Sequence, residues 1–165
     1  VYDTPFSWVD MGCPRDYFSG LSRGLRGLIP GILPIGHQVR RHVWAADGAE
    51  VSSRAVIVGP AFIGADAVIE AGAKLEGPVV VGAGARVCGR SLVRRSIVTA
   101  HTRVGDGTWV DDMIVAPEWT LDHRFADGKA QPLTPLEGIE AEVPISKASF
   151  VSATFVAQKF SGAAR

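Results

Sequence analysis

The sequence predicts an all-β protein, a parallel β-helix of about four coils, preceded by one α-helix. An apolar residue occupies every sixth position ten times in succession, beginning at Val39. The position four places after each of these is equally regular, and six of its ten residues are Ala. The chain also holds 19 Gly and 10 Pro among 165 residues. This composition is typical of short strands joined by tight corners.

A six-residue period fits neither an α-helix nor a flat strand, whose periods are 3.6 and 2. A coil with short straight sides, one side per hexad, places the large residue inward each time. Glycine follows the inward residue at Gly64 and Gly82, where we expect the chain to turn. The predicted inward residues are Val39, Ala45, Val51, Ile57, Ile63, Ile69, Leu75, Val81, Val87 and Val93. The small positions are Val43, Ala49, Ala55, Ala61, Ala67, Ala73, Val79, Ala85, Ser91 and Ile97.

The frame shifts by one residue after Val93 and resumes at Val98, which predicts a bulge or a distorted corner between them. Inward residues are then expected at Val98, Val104 and Val110, with Thr102, Thr108 and Ile114 four places later. Residues 39–115 would give about four coils. Parallel stacking pairs each strand with the coils above and below and leaves only the two ends unpaired.

A helix is predicted over residues 14–28, with Pro14 in its first turn and Asp16 near its positive end. Its apolar stripe consists of Tyr17, Phe18, Leu21, Leu25 and Leu28. We therefore divide the chain into three parts. Residues 1–30 end a preceding domain and include the helix, residues 31–116 form the β-helix, and residues 117–165 form an irregular extension. We expect the extension to cover the open end or a flank of the coil.

Composition and charge exclude several classes of protein. The 17 basic and 17 acidic side chains leave no net charge, so no basic face for nucleic acid is expected. No run of ~18 apolar residues could span a membrane. Two cysteines, Cys13 and Cys88, are too few for a disulfide framework. Because no signal peptide is recognisable ahead of them, we predict a cytoplasmic protein.

The segment Pro5–Tyr17 (PFSWVDMGCPRDY) resembles the W-x-D-x-G-x-P-x-x-Y segment of sugar-1-phosphate nucleotidyltransferases. In that family the segment closes the catalytic domain, and a helix and a left-handed β-helix follow, so the resemblance implies the handedness. Residues 58–64 and 75–82 also look like coils of the mannose-1-phosphate guanylyltransferase branch. The resemblance covers residues 5–116. It implies a reaction of a nucleoside triphosphate with a sugar 1-phosphate that yields a nucleoside diphosphate sugar and pyrophosphate.

The same resemblance implies that Asp10 helps to hold the catalytic Mg²⁺, a hard cation that binds carboxylate and phosphate oxygens. The simpler alternative is that Asp10 only caps the helix that begins at Pro14. The family's glycine-rich nucleotide loop and signature basic residues are absent from this sequence. We therefore expect a C-terminal part of a longer enzyme that has no nucleotide pocket of its own, and whether the chain alone is an enzyme stays open.

Members of the family are dimers or tetramers, so the β-helix is expected to serve oligomerisation or regulation. The residues just before inward positions are apolar and are expected to form an outer patch through which copies associate. They are Val56, Phe62, Val68, Val80 and Leu92.

Two other classes of function stay open, a hexapeptide-repeat acyltransferase and a non-catalytic β-helix scaffold. His101 could act as the general base of an acyltransferase, although a corner histidine is the simpler interpretation. His37 and His42 are spaced like paired zinc ligands of γ-class carbonic anhydrases, but the third histidine of that family is missing, so no zinc is expected. Cys88 is expected to pack rather than react. The doublets Arg40-Arg41 and Arg94-Arg95 are interpreted as solvated edges.

Overall fold

The computed structural model describes residues 12–32, 34–124 and 136–142, which form one helix and sixteen short strands. Helix α1 spans Pro14–Leu25. The strands in chain order are β1 (His37–Arg40), β2 (Val43–Ala45), β3 (Glu50–Val51), β4 (Val56–Val58), β5 (Ala61–Ile63), β6 (Val68–Ile69), β7 (Lys74–Glu76), β8 (Val79–Val81), β9 (Arg86–Val87), β10 (Leu92–Arg94), β11 (Ile97–Val98), β12 (Thr102–Val104), β13 (Trp109–Asp111), β14 (Met113–Ala116), β15 (Trp119–Asp122) and β16 (Ile139–Ala141).

The strands stack into three sheets that form the sides of a solenoid. Face A has the order β1-β2-β5-β8-β11-β14-β15, face B the order β16-β12-β9-β6-β3, and face C the order β13-β10-β7-β4. All pairings between successive coils are parallel, for example β5 with β8 and β7 with β10. The predicted fold class is therefore confirmed as a parallel β-helix of about four coils with one described helix.

The core consists of one inward residue per coil and face, aligned in register with its counterparts in the next coil. On face A, Ile63 pairs with Val81 and Val81 with Val98, and none of the three is exposed to solvent. The residues of this core that are fully buried include Ile63, Ile69, Leu75, Val81, Val87, Val93, Val98, Val104 and Val110. The hexad frame thus identified the core of the middle coils.

The frame is wrong at its start. Val39 lies in β1, which pairs antiparallel with β2, so its side chain leaves the hexad register and is 46% exposed. The first coil begins at β2 instead. Val51 keeps the inward register opposite Ile69, yet it is 39% exposed because no described strand covers β3 on its outer side. Ile57 is half-buried on face C, where β4 is the first strand.

The predicted irregularity after Val93 is confirmed as a corner that is one residue short, and a second one follows it. Partners on face A are 18 residues apart from Ala45 to Ile63 to Val81, but 17 apart from Val81 to Val98 to Val115. Single residues in the left-handed conformation form the two short corners, Arg95 at φ 44° and Asp112 at φ 56°.

The short corners correct two predicted small positions. Ile97 and Ile114 align with Val80 on face A, so they point outward and not into the small inner position. Ser96, which is fully buried, takes the place predicted for Ile97. The residue that is missing from the repeat lies between Val93 and Ile97. Counting four places from Val93 therefore reaches Ile97, which points outward, instead of the inward Ser96.

The predicted turns at Gly64 and Gly82 are confirmed, since the N–H of Ala67 donates to the Gly64 oxygen and that of Ala85 to the Gly82 oxygen. These two glycines also allow close packing between coils. Neither has a positive φ. A Cβ at Gly64 would lie 2.6 Å from the backbone nitrogen of Ala83, and one at Gly82 would lie 2.4 Å from that of Ala100. Glycine is needed here because the backbone of the next coil occupies the space of a side chain.

The two ends of the solenoid differ. At the far end β15 pairs antiparallel with β14 and β16 pairs antiparallel with β12, which covers faces A and B. At the near end only face A is covered, by β1. Within the described residues, β3, β4 and β13 each have one unpaired edge.

Helix α1 ends at Leu25, three residues earlier than predicted. Leu25 and Gly20 are buried, whereas Tyr17 and Leu28 are 39% and 58% exposed and do not belong to the packed stripe. The ring of Phe18 stacks on His123 with 3.9 Å between centroids. Because His123 follows β15, this contact places α1 beside face A. At 12 residues α1 is too short to cross a bilayer, and no longer helix is described.

Candidate functional site

Asp10, the predicted Mg²⁺ ligand, lies outside the described residues. Within residues 12–32, 34–124 and 136–142, no three His, Cys, Asp or Glu side chains are grouped so as to hold a metal ion.

The candidate histidines are spread over the surface of the coil. His37 lies in β1 and His42 in the turn before β2, and both are exposed. His101 is an exposed corner residue at φ 55°. Its Nδ1 would lie 2.6 Å from a Cβ placed at Gly84, so the imidazole rests on the corner of the preceding coil. No side-chain hydrogen bond to His101 is found in the described part of the chain that would orient it as a base.

Cys88 is 2% exposed. Burial raises the pKa of its thiol, and its backbone oxygen accepts a hydrogen bond from the Ser91 hydroxyl. A buried thiol with a raised pKa is a poor nucleophile.

An ion-pair network occupies the short corners between faces C and A, and we call it the corner cluster. Its residues are Arg94, Arg95, Asp111, Asp112, Asp122 and Arg124. The Arg95 guanidinium donates to both carboxylate oxygens of Asp112, at 2.7 Å each, and to Asp111 at 2.9 Å. Arg94 binds Asp111 in the same two-pronged way, at 2.9 and 2.5 Å. The arginine doublet is thus a half-buried paired group, and the prediction of a solvated edge was wrong for Arg94-Arg95.

Two carboxylates of the corner cluster, those of Asp111 and Asp122, are held in their charged form. The hydrogen bond from Arg94 lowers the pKa of Asp111, and the nearby charge of Arg95 lowers it further, against the opposing effect of partial burial. The hydrogen bond from Arg124 likewise lowers the pKa of Asp122. The hydrogen bond to Asp112 raises the pKa of Arg95. Asp111 and Asp122 therefore stay charged at neutral pH.

A groove of about 440 Å³ lies between α1 and the corner cluster, and we call it the junction groove. One wall is α1, and the other consists of Pro78, Arg95, His123 and Arg124. His123 is 5% exposed, and its Nε2 lies 2.9 Å from the backbone oxygen of Arg95. The residues that line the groove are Arg15, Phe18, Ser19, Ser22, Arg26, Pro78, Arg95, His123 and Arg124. Sequence analysis missed this site because its two walls are more than 50 residues apart in the chain.

The predicted outer apolar patch does not form as one surface. Phe62 and Val80 are neighbours on face A, but Val56 and Leu92 lie on face C and Val68 lies on face B. On face C the charged Lys74 stands between Val56 and Leu92. A hexad brings each successive residue of this type to a different face, so the five cannot be contiguous.

No protein-family model matches the sequence. Curated proteins do match it. The chain is 29% identical over 122 residues to the UTP–glucose-1-phosphate uridylyltransferase of Synechocystis sp., with 73% of this chain and 31% of that protein aligned. It is 32% identical over 129 residues to the rice protein named probable mannose-1-phosphate guanylyltransferase 1, with 75% and 36% aligned. It is 38% identical over 72 residues to the mannose-1-phosphate guanylyltransferase of Mycobacterium tuberculosis, with 44% and 20% aligned.

The chain thus spans between a fifth and about a third of the length of these curated relatives. The similarity confirms the resemblance to sugar-1-phosphate nucleotidyltransferases that the sequence predicted, and two of the matches extend over most of this chain.

Proposed function

We propose that the chain is the C-terminal β-helix part of a sugar-1-phosphate nucleotidyltransferase. The whole enzyme would transfer a nucleotidyl group from a nucleoside triphosphate to a sugar 1-phosphate and release pyrophosphate. The observation that carries this proposal is the alignment of about three quarters of the chain with two transferases of this kind. The predicted order of Asp10 segment, helix and β-helix supports it. Substrates of this kind are consistent with a cytoplasmic enzyme.

In the whole enzyme, Asp10 would contribute a carboxylate oxygen to Mg²⁺. The ion would neutralise charge on the phosphates as the sugar phosphate attacks and pyrophosphate leaves. The described residues hold no group of three metal-ligating side chains of their own.

The reaction is tested with the full-length protein that contains this segment, by pyrophosphate release from UTP or GTP with glucose 1-phosphate or mannose 1-phosphate. We expect release with one such pair and none from residues 1–165 alone. In the full-length protein, Asp10→Asn should cut turnover by orders of magnitude and raise the Mg²⁺ concentration needed for half-maximal rate. Absence of release with every pair would contradict the reaction, and wild-type turnover in Asp10→Asn would reduce Asp10 to a helix cap.

The β-helix would serve assembly of the enzyme. Its near end leaves the edges of β3 and β4 unpaired among the described residues, and Val56 and Val58 beside them are 50% and 57% exposed. Unpaired strands with apolar neighbours favour association. Sedimentation equilibrium of residues 1–165 and of residues 1–142 tests this. Both should be oligomeric. If residues 1–165 are monomeric and associate only after removal of residues 143–165, then those residues, rather than a second copy of the chain, cover this surface.

A further inference from the structure

We propose that residues 143–165 dock on face B of the same chain, in a groove between β3 and β6. The sequence predicts only that the extension covers the open end or a flank of the coil. The course of the chain, the charges and the apolar surface together favour this face. Such docking requires neither the nucleotidyltransferase reaction nor the association of two copies.

A groove of about 630 Å³ lies on face B near the open end of the solenoid, and we call it the face B groove. Its walls come from β3 and β6, whose Val51 and Val68 give it apolar surface. Val51 is exposed and Val68 is half-buried. The charged residues of its lining are Glu50 and Glu70, and none of the described lining residues is basic. The groove therefore suits a segment that is both basic and apolar.

The last described residue, Glu142, is linked to the wall of this groove. Face B has the strand order β16-β12-β9-β6-β3, and Glu142 directly follows β16. Its Oε1 accepts a hydrogen bond from Nε of Arg86 in β9 at 2.6 Å, and Nη1 of the same guanidinium donates to Glu70 at 3.2 Å. Oε2 of Glu142 is buried and has no hydrogen-bond partner among the described residues, which leaves an acceptor for a donor from the residues that follow. A line of ion pairs thus leads from the end of β16 to the groove.

Residues 143–165, which lie outside the described residues, are long enough to reach and cover the groove. Stacked strands are ~4.8 Å apart, so the four steps from β16 to β3 span roughly 19 Å. An extended chain covers that distance with about six residues. The remaining residues of the segment are then available to lie in the groove.

The segment and the coil around the groove carry opposite charges. Residues 143–165 contain Lys147, Lys159 and Arg165 and no acidic residue. Residues 47–71, which include β3 and β6, contain four acidic residues and one basic residue, which leaves a net charge of −3. Attraction between these charges favours this face over others and determines where the segment lies.

The segment also has apolar side chains that the groove can receive. Phe150, Phe155 and Phe160 recur at intervals of five residues. In the groove, Val51 is 39% exposed and offers apolar surface that no other described residue covers. Because burial of an aromatic ring stabilises more than an exposed ion pair does, apolar contact would supply most of the binding free energy.

The experiment is limited proteolysis of residues 1–165 with chymotrypsin, followed by mass spectrometry of cleavage after Phe155. The rate of cleavage follows the fraction of chains in which the segment is released. Glu50→Lys places a positive charge in the groove and should accelerate cleavage about fivefold. Glu50 is exposed, and its side chain forms no hydrogen bond or ion pair within the described residues, so the variant keeps the fold.

Glu118→Lys is the matched control, since it reverses the same charge at an exposed position before β15, at the far end of the solenoid. Its cleavage rate should stay within about 1.5-fold of the wild type. Lys147→Glu combined with Lys159→Glu should accelerate cleavage as Glu50→Lys does. Adding Glu50→Lys to that pair should restore slow cleavage, because the charges are again opposite.

Three results would overturn the proposal. Cleavage of Glu50→Lys at the wild-type rate would exclude docking in the face B groove. Equal acceleration by Glu50→Lys and Glu118→Lys would show that the charge of the whole chain, rather than the groove, controls cleavage. Cleavage that becomes slower per chain as the protein concentration rises would assign the docked segment to a second copy.

Discussion

The corners that lead from face C to face A are built in two ways. In the first two, the pairs Gly59-Pro60 and Gly77-Pro78 carry the chain round. In the next two, a single left-handed residue does so, Arg95 or Asp112. The two kinds of corner stack on one another and belong to coils of 18 and 17 residues.

The difference shows two means of joining neighbouring coils. At the Gly-Pro corners the coils touch through backbone, since a Cβ at Gly77 would lie 2.2 Å from the backbone oxygen of Pro60. At the short corners they are joined by side chains, with Arg95 and Asp112 in a two-pronged ion pair. A non-glycine residue at positive φ costs roughly 1 kcal/mol, which such a pair can offset. Of the two kinds of corner, only the short ones place a charged side chain, that of Arg95, beside the junction groove.

The largest expected effect tests whether both kinds of coil share one core. Ile63→Asp, in an 18-residue coil, and Val98→Asp, in a 17-residue coil, each place an unpaired carboxylate where no solvent reaches. Each should cost about 4 kcal/mol or more and unfold the chain. Thermal melting followed by circular dichroism measures this. Ile35→Asp, at an 83% exposed position, is the control and should melt like the wild type. Unchanged melting of Ile63→Asp would refute the hexad core.

The next effect concerns backbone contact at the Gly-Pro corners. Gly77→Ala should destabilise the chain by about 2–3 kcal/mol, because its methyl group meets the backbone of Pro60 and Gly59, which cannot move aside. Urea unfolding gives the free energy. Gly24→Ala in α1 is the matched control, with its nearest neighbour atom at 3.9 Å, and should stabilise by about 0.5–1 kcal/mol. Equal stability of Gly77→Ala and the wild type would show that the backbone at these corners can shift to make room for a methyl group.

The smallest effect concerns charge at the short corners. The pKa of Asp111 is lower in the folded chain than in the unfolded one, so below the ordinary Asp value of about 3.9 the unfolded state binds more protons. The free energy of unfolding should therefore decrease as the pH falls below about 4, and less steeply in Asp111→Asn. Urea unfolding at pH 7 and pH 3 measures the slope. Asp47→Asn, at an exposed carboxylate, should retain the wild-type slope.

The fold could be predicted because most hexads pack against the same kind of neighbours. From Ile63 to Val93 each inward residue has a coil above and below, so one rule holds for all. The rule failed where the surroundings differ, at Val39 and Val51 near the open end and at Ile97 after a shortened corner. The change of period shows that one residue of the repeat is missing. It does not show whether that residue is missing before or after Ile97.

The candidate site was less predictable, because its residues are far apart in the chain and only the stacking of the coils brings them together. One signal was present in the sequence. The doublet Arg94-Arg95 and the doublet Asp111-Asp112 are 17 residues apart, which is one coil length after the shift of frame. Opposite charges at this interval predict an ion-pair ladder. Nothing in the local sequence of α1 points to His123, and the position of Asp10 in the enzyme stays a prediction.

The stacking register also determines how far apart in the chain contacting residues are. Each pairing between successive coils joins residues only 17 or 18 positions apart. Parallel sheets usually need long crossovers, which slow folding, but here a low contact order favours rapid, stepwise growth. During synthesis each coil can close soon after its last residue is made. The contact of Arg15 with the backbone oxygen of Arg124 spans 109 residues, so we expect the docking of α1 to be among the last steps of folding.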